Sequence, residues 1–178
     1  MTGAARTSVP TTIAAFILCC AAMPSTAAEQ AVSNKDVAKY LTEAKDLASG
    51  KRWDAAWAAL EKAARVPDLS PYTKDKIDEY KGYVLTQQHK YAEAGALFEQ
   101  LAKSESASAD ERNDRLKKAA QLYMRAKQYE KSARAAETAL EKQPNDPVLL
   151  ELAGQSKYLA GDFRGAAARI AQLVAATE

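Results

Sequence analysis

Few side chains in this sequence are of the types that carry out chemistry. His89 is the only histidine, and the two cysteines, Cys19 and Cys20, are adjacent near the amino terminus. A metal site or a general base needs several such groups at suitable spacing, and His89 has none near it in the sequence. The glycines are isolated, without the Gly-Lys-Ser/Thr run of a phosphate-binding loop. These residue types predict a protein that is not an enzyme and that binds no metal or cofactor.

Clustered carboxylates are the remaining candidates for acid–base chemistry. Asp75 lies close to Asp78 and Glu79 in a segment with helical spacing. Three lysines are interspersed with these acids: Lys74, Lys76 and Lys81. Because opposite charges three or four residues apart on a helix pair with one another, we expect a solvated, salt-bridged face here.

The first 28 residues differ from the rest of the chain. Arg6 is their only charged residue, residues 13–22 are an unbroken apolar run, and small residues with Pro24 follow. This order is typical of a cleavable secretory signal peptide, and ten apolar residues are too few for a spanning helix, which needs roughly 20. A buried or interfacial helix is the alternative. Cleavage after Ala28, or nearly as well after Ala27, predicts a periplasmic or secreted protein with no stable membrane span in its mature form.

The position of both cysteines in this leader limits what the mature chain can contain. A lipid anchor on Cys20 is disfavoured, because Leu18 and Cys19 stand where small residues are expected. Without Cys19 and Cys20 the mature chain has no thiol, which excludes a disulfide framework and a cysteine nucleophile. The absence of thiols also suits an oxidising compartment.

The overall charge gives no indication of a nucleic-acid partner. The chain has 25 basic and 23 acidic residues, and loss of Arg6 with the leader leaves the remainder nearly neutral. Lys117, Lys118, Arg125 and Lys127 form at most a local basic patch. Since nucleic-acid binding depends on many phosphate contacts, we predict no nucleic-acid partner.

The part of the chain that would position any site is predicted to be helical and repetitive. Apolar residues recur at intervals of three and four, and no segment alternates as a strand would. Four segments begin with an aromatic residue: Trp53, Tyr91, Tyr129 and Phe163, spaced by 38, 38 and 34 residues. A small residue precedes each aromatic by nine positions: Ala44, Gly82, Ala120 and Gly154. This self-similarity predicts stacked helical hairpins in which each aromatic packs against small residues of its own and the next hairpin.

Capping signals predict where the helices begin and end. Ser70-Pro71 and Asp146-Pro147 are helix starts, and Ser108 with Glu111 has capping-box spacing. Ser33 with Asp36 is a weaker box of the same kind, and Gly50 and Gly161 indicate helix ends. The helices are predicted at about 34–49, 52–66, 71–87, 91–103, 109–126, 129–142, 147–160 and 163–176. We expect the connections 66–70 and 103–108 to contain the four extra residues of the longer repeats.

The pattern resembles the tetratricopeptide repeat, which has a small residue, an aromatic, an alanine and a proline at fixed positions. The last two units fit best, with Pro144, Gly154, Gly161, Phe163 and Ala166 in order. Departures are the 38-residue spacings, Ser132 in place of alanine, and Glu43 and Lys81 at usually apolar positions. The resemblance implies an all-α, right-handed superhelix (an α-solenoid) of about four hairpins in residues 29–178, with units at about 37–70, 75–108, 113–146 and 147–178.

The resemblance also implies where a partner would bind. In this family the first helix of each hairpin lines a concave groove that binds a protein or peptide. The groove positions carry over to Lys45, Lys76, Tyr80, Tyr83, Lys117, Gln121, Met124, Arg125, Gln155 and Tyr158. The asparagines that some members use to bind a terminal carboxylate have no counterpart at these inner positions. The alternative for Tyr83 and Tyr158 is packing between hairpins.

The carboxyl-terminal helix indicates a second interface. Repeat stacks usually end in a helix with a polar outer face, but residues 163–176 are apolar on more than one side. We therefore expect Ile170, Leu173 and Val174 to dock onto a partner or another copy. The sequence favours an exported bacterial interaction scaffold, and a self-associating structural subunit of a cell-envelope assembly is the alternative.

Overall fold

The computed structural model describes residues 34–177, which form an all-helical chain of eight helices. They are α1 (Lys35–Ser49), α2 (Trp53–Ala64), α3 (Pro71–Gln87), α4 (Tyr91–Leu101), α5 (Ala109–Arg125), α6 (Tyr129–Leu140), α7 (Pro147–Leu159) and α8 (Phe163–Thr177). Each helix packs against the next one along the chain, and α5 also touches α7. The all-α prediction is confirmed for this part of the chain. The predicted signal peptide, residues 1–28, lies outside the described residues.

The four turns inside the helix pairs share one backbone geometry. Each turn has three residues and contains one residue with positive φ two positions before the aromatic: Lys51 (57°), His89 (60°), Lys127 (59°) and Gly161 (88°). The residue after it donates its backbone N–H to the carbonyl five positions back, as in Lys90 to Leu85 at 2.9 Å. This is the Schellman closure of a helix end, which satisfies carbonyls that would otherwise have no partner. The repeat is therefore visible in the backbone as well as in the residue pattern.

The capping residues at three helix starts are those predicted. Ser70 accepts from Thr73 N–H at 3.1 Å, and Asp146 accepts from the N–H groups of Val148 and Leu149. Ser108 and Glu111 form the reciprocal capping box. The cap of α1 differs from the predicted one, because Asn34 and not Ser33 caps this helix, accepting from Asp36 N–H at 3.0 Å. Ser33 lies outside the described residues.

The longer repeats owe their length to helices and not to connections, which corrects the prediction from sequence. Helices α3 and α5 each have 17 residues, whereas α7 has 13. The difference is about one helical turn. The three connections between helix pairs, residues 65–70, 102–108 and 141–146, have nearly equal lengths. The first turns of α3 and α5 are therefore insertions relative to α7.

The buried apolar residues form two clusters along the stack. The first joins α1, α2 and the middle of α3 around Val37, Leu60 and Ile77. The second extends from Leu85 through α4–α7, and Trp57 packs against both clusters. The helices approach closely where glycine provides no side chain. A Cβ on Gly82 would lie 2.7 Å from the Phe98 ring, and a Cβ on Gly95 would lie 2.9 Å from the Tyr123 ring.

Buried polar side chains cross between helix pairs at two places. Arg115, on α5, donates to Asp75 and Glu79 of α3 and to the Leu101 carbonyl, at distances from 2.8 to 3.2 Å. Ser106 also donates to Asp75, at 2.6 Å. Asp75 is only 8% exposed, so its place on a solvated lysine-paired face was predicted wrongly. Its counter-ion comes from a distant helix, which no local spacing rule reveals.

The second buried polar contact explains a departure from the repeat pattern. Ser132 and Ser156 are fully buried, with their hydroxyl oxygens 2.7 Å apart. Ser132 also donates to the Ala120 carbonyl at 2.8 Å. A hydroxyl at position 132 thus links α5, α6 and α7, because a buried hydroxyl with two partners carries little desolvation penalty.

None of the helices within residues 34–177 is long and apolar enough to cross a membrane.

Candidate protein-binding groove

A cavity between α1 and α3 brings four of the predicted groove residues together. Its volume is about 520 Å³. The buried residues at its base are apolar: Ala44, Ala48, Leu60 and Val84. Its more exposed lining includes Lys45, Lys76, Tyr80 and Tyr83. Ala44 and Ala48 on α1 leave space that larger side chains would fill, and the approach of α3 then encloses this space as a cavity.

The two tyrosines present large aromatic surfaces at this cavity. Tyr80 is 40% exposed and Tyr83 is 48% exposed. Tyr83 also stands edge-on to Trp53, with ring centroids 6.4 Å apart, which restricts its orientation. Tyr83 therefore both packs against Trp53 and remains accessible to a ligand. Rigid, exposed aromatic rings are suited to burying area against a partner at a low entropic cost.

The charged residues of the cavity are partly fixed by ion pairs. Glu79 is 3.0 Å from the Lys76 ammonium and 2.9 Å from the Arg115 guanidinium. Burial opposes the charge on Lys76, but the hydrogen bond and charge of Glu79 outweigh it and raise the pKa of Lys76. Burial likewise opposes the charge on Arg115, and its bonds to Glu79 and Asp75 raise its pKa. The negative charge of Glu79 is thus balanced by two cations, Lys76 and Arg115.

A second cavity continues the same surface between α3 and α5. It measures about 310 Å³ and shares Glu79 and Tyr83 with the first. Phe98 and Leu122 supply buried apolar surface, and Lys118, Gln121 and Arg125 add polar groups. We call the two adjoining cavities the α1–α3–α5 groove. Sequence reasoning predicted Gln121 and Arg125 there and missed Glu79 and Lys118, although both lie one helical turn from predicted residues.

Other predicted groove residues lie elsewhere. The Lys117 ammonium is 2.7 Å from Asp146 and borders an open depression at the connection between α6 and α7. Met124 is half-buried and packs against the larger core cluster. Gln155 and Tyr158 line a different cavity, with Ile170. The structure therefore groups six of the ten predicted residues in the α1–α3–α5 groove.

That different cavity lies on the outer side of the last helix pair, and we call it the α7–α8 face. Its volume is about 790 Å³, and none of its lining residues is charged. They are Gly154, Gln155, Tyr158, Leu159, Phe163, Ala166, Ala167, Ile170 and Ala171. Tyr158 is 61% exposed and packs edge-on against Phe163 at 5.4 Å between centroids.

Two predictions about side chains of the carboxyl-terminal helix, those for Leu173 and Phe163, are wrong. Leu173 is half-buried and packs against the larger core cluster, whereas Ile170 and Val174 are 48% and 51% exposed. Phe163 was expected to pack between hairpins but is 64% exposed. The physical reason is that no helix within the described range packs on the outer side of α8. Phe163 consequently belongs to the α7–α8 face.

Groups that could support chemistry do not converge in the described residues. No cluster of histidine and carboxylate side chains suitable for a metal ion occurs among residues 34–177. The His89 ring nitrogen and the Tyr91 hydroxyl are 2.7 Å apart at an exposed turn. Burial, together with the hydrogen bond to Glu99, raises the pKa of Tyr123, which is a packed core residue.

Comparison with protein-family models gives no match, and no curated protein matches the sequence. Any function must therefore be inferred from the geometry of the α1–α3–α5 groove and the α7–α8 face.

Proposed function

We propose that the protein is an exported, tetratricopeptide-like scaffold that binds a protein or peptide partner in the α1–α3–α5 groove and catalyses no reaction. Support comes from the leader-like first 28 residues, the repeated turns and the aromatic-lined cavities. In this proposal the helix pairs form a right-handed superhelix, and the mature chain acts in the periplasm or outside the cell.

One observation carries the proposal. Tyr80 and Tyr83 stand exposed beside a cavity of about 520 Å³ whose base is apolar. Monomeric proteins normally cover apolar concavities, and aromatic residues around such a site are the types that dominate binding energy. The groove then continues past Tyr83 to Arg125, which offers length for an extended segment.

A peptide-display selection against the protein, purified after expression of the full chain, tests this proposal. We expect Tyr80→Ala and Tyr83→Ala each to weaken the selected peptides by at least about tenfold, or 1.4 kcal/mol. Tyr158→Ala is the matched control, because Tyr158 is an exposed tyrosine outside this groove. Binding that is insensitive to both groove tyrosines would refute the groove proposal. Thermal unfolding of each variant separates lost binding from lost folding.

The α7–α8 face supports a second candidate function, self-association within a cell-envelope assembly. An uncharged face can meet an identical face across a two-fold axis without like-charge repulsion. Nearby charges are paired within the chain, since Glu137 bonds with Arg169 and Lys157. This candidate requires no ligand in the groove.

Sedimentation across a concentration series tests self-association. Ile170→Glu should shift a concentration-dependent dimer to monomer, whereas Ala168→Glu, an exposed position on the same helix outside the cavity, should not. A protein that stays monomeric at the highest concentration excludes this candidate. Leu173→Glu is unsuitable here, because it would disturb the core.

A further inference from the structure

We infer that the partner segment is acidic: an extended peptide with aliphatic or aromatic side chains flanked by carboxylates. This inference rests on the proposed groove function and adds the chemistry of the occupant. It follows from the charges that line the two adjoining cavities and from the way those charges are already paired.

The groove has more cations than carboxylates. Lys45, Lys76, Lys118 and Arg125 line the two cavities, and Glu79 is the only acidic residue in their linings. Glu79 is already paired with both Lys76 and Arg115. Because these two cations already balance the charge of Glu79, this carboxylate does not favour binding of a cationic peptide.

Three of the four cations are available to a ligand. Among residues 34–177, Lys45, Lys118 and Arg125 have no carboxylate within ion-pair distance. Lys118 lies over the Phe98 ring at 5.5 Å, and Arg125 lies over the Tyr91 ring at 5.7 Å. The ring contacts orient these two cations without neutralising them. An anionic segment would supply the missing counter-charges.

The apolar surface sets the remaining requirement. Leu60 and Val84 lie at the base of the first cavity, and Phe98 and Leu122 lie in the second. A polyanion without apolar groups would leave these surfaces unfilled. The complementary occupant has apolar side chains that enter the cavities and carboxylates that reach Lys45 on one side and Lys118 or Arg125 on the other.

Three fluorescein-labelled peptides test the inference with the protein purified after expression of the full chain. They share leucines and a tyrosine at fixed positions and differ only at the flanking positions, which are Glu, Gln or Lys. We expect the Glu peptide to bind at least about tenfold more tightly than the Gln peptide at low salt, and the advantage to shrink as salt rises. The Lys peptide should bind most weakly.

Charge-reversal variants connect the preference to the groove. Lys45→Glu and Arg125→Glu should each remove most of the preference for the Glu peptide. Lys62→Glu is the matched control, because Lys62 is an exposed lysine on α2 outside both cavities. Equal binding of the Glu and Gln peptides, stronger binding of the Lys peptide, or no binding of any peptide would overturn the acidic inference.

These outcomes are distinguishable from failure of the proposed function. If display-selected peptides still depend on Tyr80 and Tyr83 but carry no acidic residues, the groove binds a partner and the charge inference is wrong. If selected peptides ignore both tyrosines, the proposed groove function itself is wrong. Lys62→Glu could instead remove the preference for the Glu peptide as effectively as Lys45→Glu does. That result would indicate general electrostatic attraction and would also overturn the inference.

Discussion

The packing of α3 against α5 and that of α5 against α7 place different chemistry at equivalent positions. Asp75 and Asn113 are each the fifth residue of a 17-residue helix, and both are buried. Asp75 pairs with Arg115, whereas neither side-chain polar atom of Asn113 has a hydrogen-bond partner in the described residues. The position in α7 that corresponds to Arg115 is occupied by Leu149.

The first two helix pairs have a third combination of residues at these equivalent positions. There the equivalent residues are Val37 and Ile77, which are both buried in the first core cluster. One arrangement of helices thus accommodates an apolar pair, an ion pair, and an amide beside an apolar residue. Helix stacking is therefore set by small residues and turns, while the stability of each interface depends on whether its buried groups match.

The largest expected effect comes from breaking the ion pair on one side. Arg115→Ala leaves the Asp75 carboxylate buried without its cation and should lower the free energy of unfolding by about 3–5 kcal/mol. The double variant Asp75→Val, Arg115→Ile copies the apolar pair and should recover most of this loss. Urea unfolding monitored by circular dichroism measures both. A single variant that costs less than about 1 kcal/mol would contradict the importance of matching.

Asn113 provides the opposite test. Asn113→Leu removes a buried amide without partners and should raise the free energy of unfolding by about 1–3 kcal/mol. Asn113→Asp should lower it, since Leu149 supplies no cation in place of Arg115. Chemical unfolding of both variants checks the prediction. An equal loss of stability in both would indicate that the amide is satisfied in solution.

The turns, which are the same in all four pairs, allow a test of a smaller effect. Lys127 has a left-handed backbone that favours glycine, so Lys127→Gly should raise the free energy of unfolding by about 0.5–1 kcal/mol. Gly161→Ala at the equivalent position should lower it by about 1 kcal/mol. Thermal unfolding gives both values. Changes of the same sign would show that the turns are not equivalent in energy.

The smallest expected effect concerns a partly exposed ion pair, that of Glu137 with Arg169 and Lys157. Burial opposes the charge on Glu137, but the bonds with Arg169 and Lys157 outweigh it and hold the pKa of Glu137 below its ordinary value. Its contribution, about 0.2–1 kcal/mol, is therefore present above the ordinary pKa and is lost as pH falls through the lowered one. Glu137→Gln should have a flatter stability profile below about pH 5.

A matched control for this pH effect is Glu141→Gln. Glu141 is exposed about one helical turn after Glu137 and has no ion pair within residues 34–177. Stability profiles of the two variants and the parent protein should separate only for Glu137→Gln. A flatter profile for Glu141→Gln as well would show that the effect comes from general charge and not from the pairing.

The sequence predicted the helices and most of their boundaries because these depend on local chemistry. The Ser70, Ser108 and Asp146 caps act on backbone groups within three residues of themselves, and each is found as predicted. The four extra residues of the longer repeats were wrongly attributed to the connections, although the predicted helices 71–87 and 109–126 already contained the additional turn that α3 and α5 have relative to α7. Six of the ten groove residues that the resemblance implied lie in the candidate groove.

The remaining site residues depended on contacts between distant segments. Spacing placed Tyr80 and Tyr83 on one helix face, but it could not show that Glu79 pairs with Arg115 across 36 residues. Spacing also could not separate Gln155 and Tyr158 from the groove, since they occupy equivalent repeat positions on another helix pair. Leu173 and Phe163 exchanged their expected roles because burial at the end of a stack depends on which neighbours are present.

Composition and short-range spacing encode the helical class, the fourfold pattern and the leader-like amino terminus, so these features can be read from the sequence. Which cations in the groove are neutralised and which are free depends on tertiary packing, because Arg115 reaches Glu79 and Asp75 only after α3 and α5 have packed. Tertiary packing also decided that Ala44 and Ala48 leave a cavity, because the space beside a small side chain depends on how closely the neighbouring helix approaches.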